Sequence, residues 1–402
     1  MNKIKWTANE LPKTADRNLA LLSIEHAKEV KAFHESFPQY ETTPLAQLTN
    51  LAKLIGVKDI FVKDESYRFG LNAFKVLGGS YAIAKYIAGK LGKDISEVPY
   101  HVLTSEALRK EFGQGTFFTA TDGNHGRGVA WAANILQQKC VVYMPIGTTQ
   151  TRLNHVLREN AKASIEDINY DDCVRKAAAE ANETKNGVII QDTAWEGYEE
   201  IPTWIMQGYG TMAYEADLQL ADYHCKRPTH VFVQAGVGSL AGAVQGYFAN
   251  RYPENPPKVI IAEADVASCL YDGAIAGDGE PRTVGGDMLT LMNGLACGEP
   301  STISWEILRN HAHTFTACPD WVSAKGMRIL AAPTKGDTPV TAGESGAVTM
   351  GLLYTIMTDD NYKDLREHLA LDENSSILLF STEGDTDPTR YKSIVWDGVN
   401  SL

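Results

Sequence analysis

Residues 230–248 read HVFVQAGVGSLAGAVQGYF, and three physical signals follow one another along them. The opening run, ending at Gln234, is short, apolar and β-branched, as in a strand buried on both faces. Gly236 and Gly238 then let the backbone turn sharply and approach a ligand. A helix rich in small residues starts near Ser239, so free N–H groups and the positive end of the helix dipole meet at the turn. Together these features form an anion cradle, to which Ser239 adds a hydroxyl that donates to a ligand or caps the helix. The loop alone leaves three readings open. It cradles a phosphate. Or it belongs to a dinucleotide site, because Gly236, Gly238 and Ala241 match G-x-G-x-x-A and Glu263 ends the next strand roughly 25 residues on. Or its glycines serve packing alone.

The same alternation extends outward through the chain. Strands are expected at 59–63, 139–144, 187–191, 230–234, 258–263 and 376–380, and helices at 73–90, 126–137, 171–184, 204–225 and 240–250. Such alternation predicts parallel sheets of the α/β class, whose ligands sit beyond the C-terminal ends of the strands. Boundaries are expected near residue 85 and near Pro202, after the turn-rich QDTAWEGYEEIP. Periodicity does not show how the flanking pieces join.

Composition narrows the class. The 402 residues leave room for two or three domains or one large two-lobed unit. Acidic residues outnumber basic ones by 50 to 37, a formal charge of −13, which argues against nucleic acid as a partner. No run of about 18 apolar residues occurs, so no membrane span is expected. The opening MNKIKWTANELPKTADRN is too polar for a signal peptide. Cys140, Cys173, Cys225, Cys269, Cys297 and Cys318 lie far apart with no CxxC pair, so neither a metal site nor a disulfide framework is expected. They read as small buried hydrophobes in a reducing compartment, and the protein as cytoplasmic.

Two further segments carry chemistry. In IFVKDESYRFGLNAFKVLGG, residues 60–79, Lys75 falls in the first turn of an expected helix. Apolar surroundings disfavour its charge and free the amine for imine formation with a carbonyl. The plain alternative is a lysine snorkelling from an amphipathic helix. In FFTATDGNHGRG, residues 117–128, an apolar edge runs through a turn into a helix, a second anion site suited to a carboxylate. Asp122 is out of place there. Either it caps the helix or it is an acid or base beside a substrate.

In their order along the chain, Thr43-Pro44-Leu45, VKDES, Asn72-Ala73-Phe74-Lys75, TDGNHG, the late glycine loop and Ser381-Thr382-Glu383-Gly384 resemble the tryptophan-synthase-β-like family of pyridoxal-phosphate enzymes, fold type II. FGLNAFKVLGG, ATDGNHGRGVAWAA, QDTAWEGY, GGDM, GLACGEP, GESGAV and STEGDTD narrow the resemblance to the diaminopropionate ammonia-lyase family. The resemblance covers residues 40 to 390 or so. It implies two α/β lobes, each a mostly parallel sheet flanked by helices, with pyridoxal 5′-phosphate between them. Residues 1–85 and 205–402 would form the large cofactor-binding domain and 86–204 a small mobile domain. A homodimer is implied as well.

Residue by residue, Lys75 matches the family's Schiff-base lysine. Gly236, Val237, Gly238 and Ser239 match its phosphate loop. Asn124 matches the asparagine that bonds the ring oxygen, and Thr382 the hydroxyl facing the pyridine nitrogen. Glu344, in GESG, lies near the cofactor by the same analogy. Thr121, Asp122, Gly123, Asn124 and His125 match the loop for the substrate carboxylate. Asp122 matches a second base, and Asp192 a residue of the substrate pocket. Three departures weaken a serine or threonine dehydratase reading: Ala73 stands where a serine is common, Val237 replaces a loop glycine, and Asp122 intrudes among usual serines.

The implied reaction is α,β-elimination of 2,3-diaminopropionate, L and D, to pyruvate and two ammonia through aminoacrylate. Lys75 would take the α-proton from one face and Asp122 from the other. Ammonia leaves poorly unless protonated, and Asp192, reprotonated Lys75 and the cofactor phosphate are the candidate acids. A carboxylate at Asp192 also favours a β-ammonium over a β-hydroxyl. The competing readings are a nicotinamide-dependent dehydrogenase resting on Gly236, Gly238, Ala241 and Glu263, a dehydratase-type lyase or sulfhydrylase, and a binding protein on an inherited scaffold.

Overall fold

The computed structural model describes residues 2–401. Its strands are β1 (Lys5–Ala8), β2 (Leu45–Gln47), β3 (Asp59–Asp64), β4 (Thr116–Ala120), β5 (Lys139–Met144), β6 (Lys162–Ile165), β7 (Gly187–Ile189), β8 (His230–Gln234), β9 (Lys258–Ala264), β10 (Thr314–Cys318) and β11 (Ser376–Ser381). One sheet runs β1-β10-β9-β8-β11-β3-β2 and the other β6-β5-β4-β7. The inner strands of the large sheet pair in parallel, and only its edges, β1 and β2, are antiparallel. The small sheet is parallel throughout. All six expected strands are present. β7 ends two residues early, where the Gln191 N–H turns to the Tyr198 hydroxyl at 2.9 Å. β1, β2, β6 and β10 were not expected, and β4 only as an apolar edge.

The helices that matter to the site are α1 (Ile24–Glu35), α2 (Val76–Lys90), α3 (Asn124–Ile135), α4 (Gln150–Leu157), α5 (Tyr170–Glu183), α6 (Glu200–Leu220), α7 (Ser239–Arg251) and α8 (Glu344–Thr358). Residue 85 lies inside the uninterrupted α2. Pro202 sits in the first turn of α6, where proline has no helical N–H to lose.

Glycines let α2 lie close to helices on two sides. A methyl group on Gly78 would come within 2.6 Å of Ile205 Cγ2, and one on Gly208 within 2.5 Å of the Leu77 carbonyl oxygen. On the other side, a methyl on Gly128 of α3 would sit 2.8 Å from Val76 Cα. The contact therefore excludes even alanine without backbone movement. It lies one turn from Lys75. His34 of α1 completes the clasp, with Nδ1 2.8 Å from Thr211 Oγ1 on α6 and Nε2 3.0 Å from the Leu77 carbonyl on α2.

The VKDES segment has a structural use. Lys63, Glu65, Arg68 and Glu215 are wholly inaccessible and balance one another's charge. Arg68 Nε donates to Glu65 Oε2 at 2.8 Å and Nη2 to Glu215 Oε2 at 2.7 Å, while Lys63 Nζ lies 2.7 Å from the same Glu215 oxygen. This quartet pins the loop that precedes Lys75 to α6. The six cysteines are free and buried. Among the described residues no helix is long and apolar enough to cross a membrane, and no cluster of side chains suits a metal ion.

Candidate active site

A cavity lies where β4, β7, β8 and β11 end. Its wall carries Lys75, Asp122, Asn124, Asp192, the loop Gly236–Ser239 and Thr382. The sequence reading had named each of these, and the fold brings them together from separate segments.

The glycine loop is closely packed. A methyl on Gly236 would meet Cys297 Sγ at 3.1 Å and the Gly294 carbonyl at 3.2 Å, and Gly238, at φ +97°, opposes Ser304 Cβ at 3.2 Å. Gly238 precedes α7, whose first amides have no partner inside the helix. The Ser239 hydroxyl neither caps α7 nor stays free. It donates to the Asp192 carbonyl and ties the loop to the segment after β7.

Lys75 directly precedes α2, with helical backbone angles already in place, rather than lying in its first turn. Its amine pairs with Asp192 Oδ2. This corrects the expectation of a less basic lysine. Burial does oppose the charge, but the Asp192 carboxylate outweighs it and raises the lysine above its ordinary value. Burial likewise opposes the Asp192 charge, and Lys75 outweighs it, holding Asp192 well below the usual carboxylate range. Asp192 Oδ1 also accepts from the Tyr170 hydroxyl at 3.3 Å.

Asp122 does not cap α3. Gly123 holds that position without a side-chain cap, and the Gly123 N–H donates to Thr121 Oγ1 at 2.8 Å. Asp122 instead accepts from Arg152 Nη1 at 2.6 Å. Arg152 is buried, packs its stem against Gly123, and extends Nη2 to Glu344 Oε2 at 3.4 Å. Glu344, expected near the cofactor, is off the cavity wall, its carboxylate between Arg152 and Arg390. Thr121, Gly123 and His125 also lie behind the wall rather than on it. Asn124 donates to Glu383, which also accepts from the Ser345 N–H at 3.1 Å. Burial raises the Glu383 carboxyl above its ordinary value, partly countered by Arg152.

The cavity fits a phosphorylated pyridine aldehyde. Thr382 Oγ1 accepts from Gln234 Nε2 at 2.6 Å, so its own hydrogen is left for a ring nitrogen. Ser345 Oγ, on the wall, is buried without a partner. The dinucleotide reading fails at Glu263. That side chain is wholly buried and accepts the N–H groups of Leu270 at 2.8 Å and Tyr271 at 2.7 Å, so it holds a helix start rather than a ribose.

Residues 37–379 match the family model of pyridoxal-phosphate dependent enzymes. The chain is 52% identical to the diaminopropionate ammonia-lyase of Salmonella typhimurium (strain LT2) over 94% of its own length and 94% of that enzyme's. The chain belongs to the diaminopropionate ammonia-lyase family. The holo diaminopropionate ammonia-lyase of Escherichia coli, 44% identical, matches 99% of this chain and 98% of its own with a TM-score of 0.91. The same enzyme in complex with an aminoacrylate-PLP azomethine reaction intermediate matches at 0.89, with the same identity and coverage.

Within this ammonia-lyase fold, several residues at the site gave no local signal in the sequence. Arg152 lies in an unremarked helix, yet it is the cation at Asp122. Tyr170 and Ser345 reach the wall from α5 and α8. Glu383 was quoted only as part of a motif. The one available clue was an imbalance: Asp122, Glu344 and Glu383 join Asp192 with Lys75, already paired to Asp192, as the one fixed cation among the residues first singled out.

Proposed function

We propose that the chain eliminates ammonia from 2,3-diaminopropionate, L and D, to give pyruvate and two ammonia. The observation that carries this reading is the Lys75–Asp192 pair inside a cavity that also holds the anion loop and the Thr382 hydroxyl. When bound, pyridoxal 5′-phosphate supplies an aldehyde for an amine to condense with and a ring that draws electrons from the α-carbon. Gly236, Val237, Gly238 and Ser239 hold its phosphate, and Thr382 and Asn124 orient its ring. Lys75 is the amine that anchors it and the base that takes the α-proton of one isomer. Asp122, from the loop after β4, also lines the cavity and serves the other isomer. Asp192 lines the substrate side and favours a β-ammonium over a β-hydroxyl.

Residues 86–204, which carry the small sheet, form the mobile domain against 1–85 and 205–402. Its closure excludes water from the reaction. The protein is cytoplasmic and homodimeric in this reading.

The test is release of pyruvate and ammonia from L- and D-diaminopropionate and from serine, read beside visible absorbance. Purified protein should absorb near ~420 nm, and Lys75→Ala should lose both the band and turnover. A band that survives Lys75→Ala, or serine turned over as fast as diaminopropionate, would defeat the reading.

A further inference from the structure

His125 lies behind Asp192, and its ring is fixed from two directions. Nε2 is 2.8 Å from the Ile190 carbonyl, which only accepts, so Nε2 carries a hydrogen. Nδ1 is buried without a hydrogen-bond partner, 3.9 Å from Asp192 Oδ2. In a neutral ring this leaves a bare lone pair facing a carboxylate, two acceptors with no hydrogen between them. The groups facing the pair are Lys75, Asp122, Tyr170, Tyr198, Tyr209 and Cys297. Burial keeps the three hydroxyls and the thiol neutral. Lys75 is thus the cation that compensates Asp192, and it binds the same Oδ2. Its positive charge also works against a proton on His125.

The proposed reaction, on which this inference rests, requires Lys75 to be an uncharged amine before it takes the α-proton. At that stage a buried carboxylate and a bare ring nitrogen face each other with the substrate's β-ammonium as the one cation beside them, and one proton from it satisfies both. We propose that His125 and Asp192 share one proton whenever Lys75 is uncharged, and that Asp192 delivers it to the departing β-nitrogen. The protons balance. The incoming diamino acid reacts through its uncharged α-amine, and its β-ammonium passes one proton to the pair. Lys75 then removes the α-proton and becomes an ammonium again, which repels the proton on the pair. The Cβ–N bond breaks with its electrons passing to nitrogen, which takes that proton and leaves as ammonia. Asp192 is then a carboxylate beside the Lys75 ammonium, in keeping with the pairing the structure shows. His125 touches no substrate. It is a positioning residue that acts through Asp192.

The first test needs no turnover. In full-length deuterated protein labelled with 15N-histidine, near neutral pH and without added cofactor, the His125 signals are those lost in His125→Gln. The native chain should show one protonated and one bare ring nitrogen. Lys75→Met should show both protonated, and adding Asp192→Asn should restore the bare nitrogen. A bare Nδ1 in Lys75→Met overturns the proposal, and Lys75→Gln replaces that variant should it not fold. The second test is kinetic. His125→Gln should lower kcat for diaminopropionate by ~100-fold with KM unchanged, the scale of general acid catalysis. It should spare 3-chloroalanine, whose chloride leaves without a proton. Equal losses on both substrates overturn the proposal. Native protein that releases pyruvate from neither substrate refutes the reaction itself, whereas the labelled-histidine result does not depend on it.

Discussion

Asp122 is tolerated beside an anion-binding helix start because Arg152 lies 2.6 Å from it. A carboxylate there would otherwise repel the substrate carboxylate expected at this loop. Asp122→Asn keeps an oxygen for Arg152 but cannot take a proton, so it separates base from support. Turnover of the D isomer should fall ~10²–10⁴-fold while the L isomer is little changed, measured by steady-state kinetics on each isomer. Comparable losses on both would make Asp122 an orienting group. Lys75 and Asp122 could be singled out from the sequence because each sits in a turn-and-helix segment with a chemical use, and Asp192 and Thr382 only through the family resemblance; all four line the cavity. Arg152 was not legible, since a salt bridge across 30 residues leaves no local pattern. Glu263 shows the converse. A carboxylate at a strand end matched the ribose-binding position, but sequence does not tell which way it points, and here it points into the protein.

At the scale of elements, α2 carries the placement of Lys75. Gly208→Ala would drive a methyl into the Leu77 carbonyl, so α2 and α6 must part. The expected cost is about 1–3 kcal/mol of stability by denaturant unfolding, with weaker cofactor absorbance because Lys75 moves with its helix. Unchanged stability would mean that the crossing is looser than its glycines indicate. His34 adds a pH dependence. Burial lowers it from its ordinary 6.5 to about 3, so the folded chain refuses a proton that the unfolded chain takes. Its contribution is full above 6.5 and is lost progressively as pH falls from 6.5 toward about 3. The slope reaches about 1.4 kcal/mol per pH unit. His34→Gln, which can still donate to Leu77 and accept from Thr211, should flatten stability against pH in that window; an unaltered slope would assign it to other groups. The inner strands were legible as apolar runs. β10 was hidden because Thr314 and Thr316 read as polar although the whole strand is buried, Thr316 Oγ1 donating to the Ile261 carbonyl at 2.8 Å. The edge strands β1 and β2 are too short to carry a period.

Across the whole molecule, the two sheets meet at the cavity, and Arg152 joins them there. It stands on α4 beside the small sheet, and its guanidinium lies between Asp122 and Glu344 of α8, which packs on the large one. Both side chains of the Arg152–Glu344 contact are almost wholly inaccessible. Removing one member of such a pair leaves a buried charge unmatched and costs about 3–5 kcal/mol. For Glu344 the remaining cation is Arg390, at 3.6 Å. Arg152→Met should therefore lower the denaturation midpoint and speed amide exchange in both 150–157 and 344–358, although only the first segment carries the change. Arg152→Met combined with Glu344→Met should recover part of the stability, because the carboxylate that lost its partner goes too. Exchange that rises in 150–157 alone would show that Arg152 serves Asp122 only. The proposed closure of the small domain over substrate would then rest on other contacts.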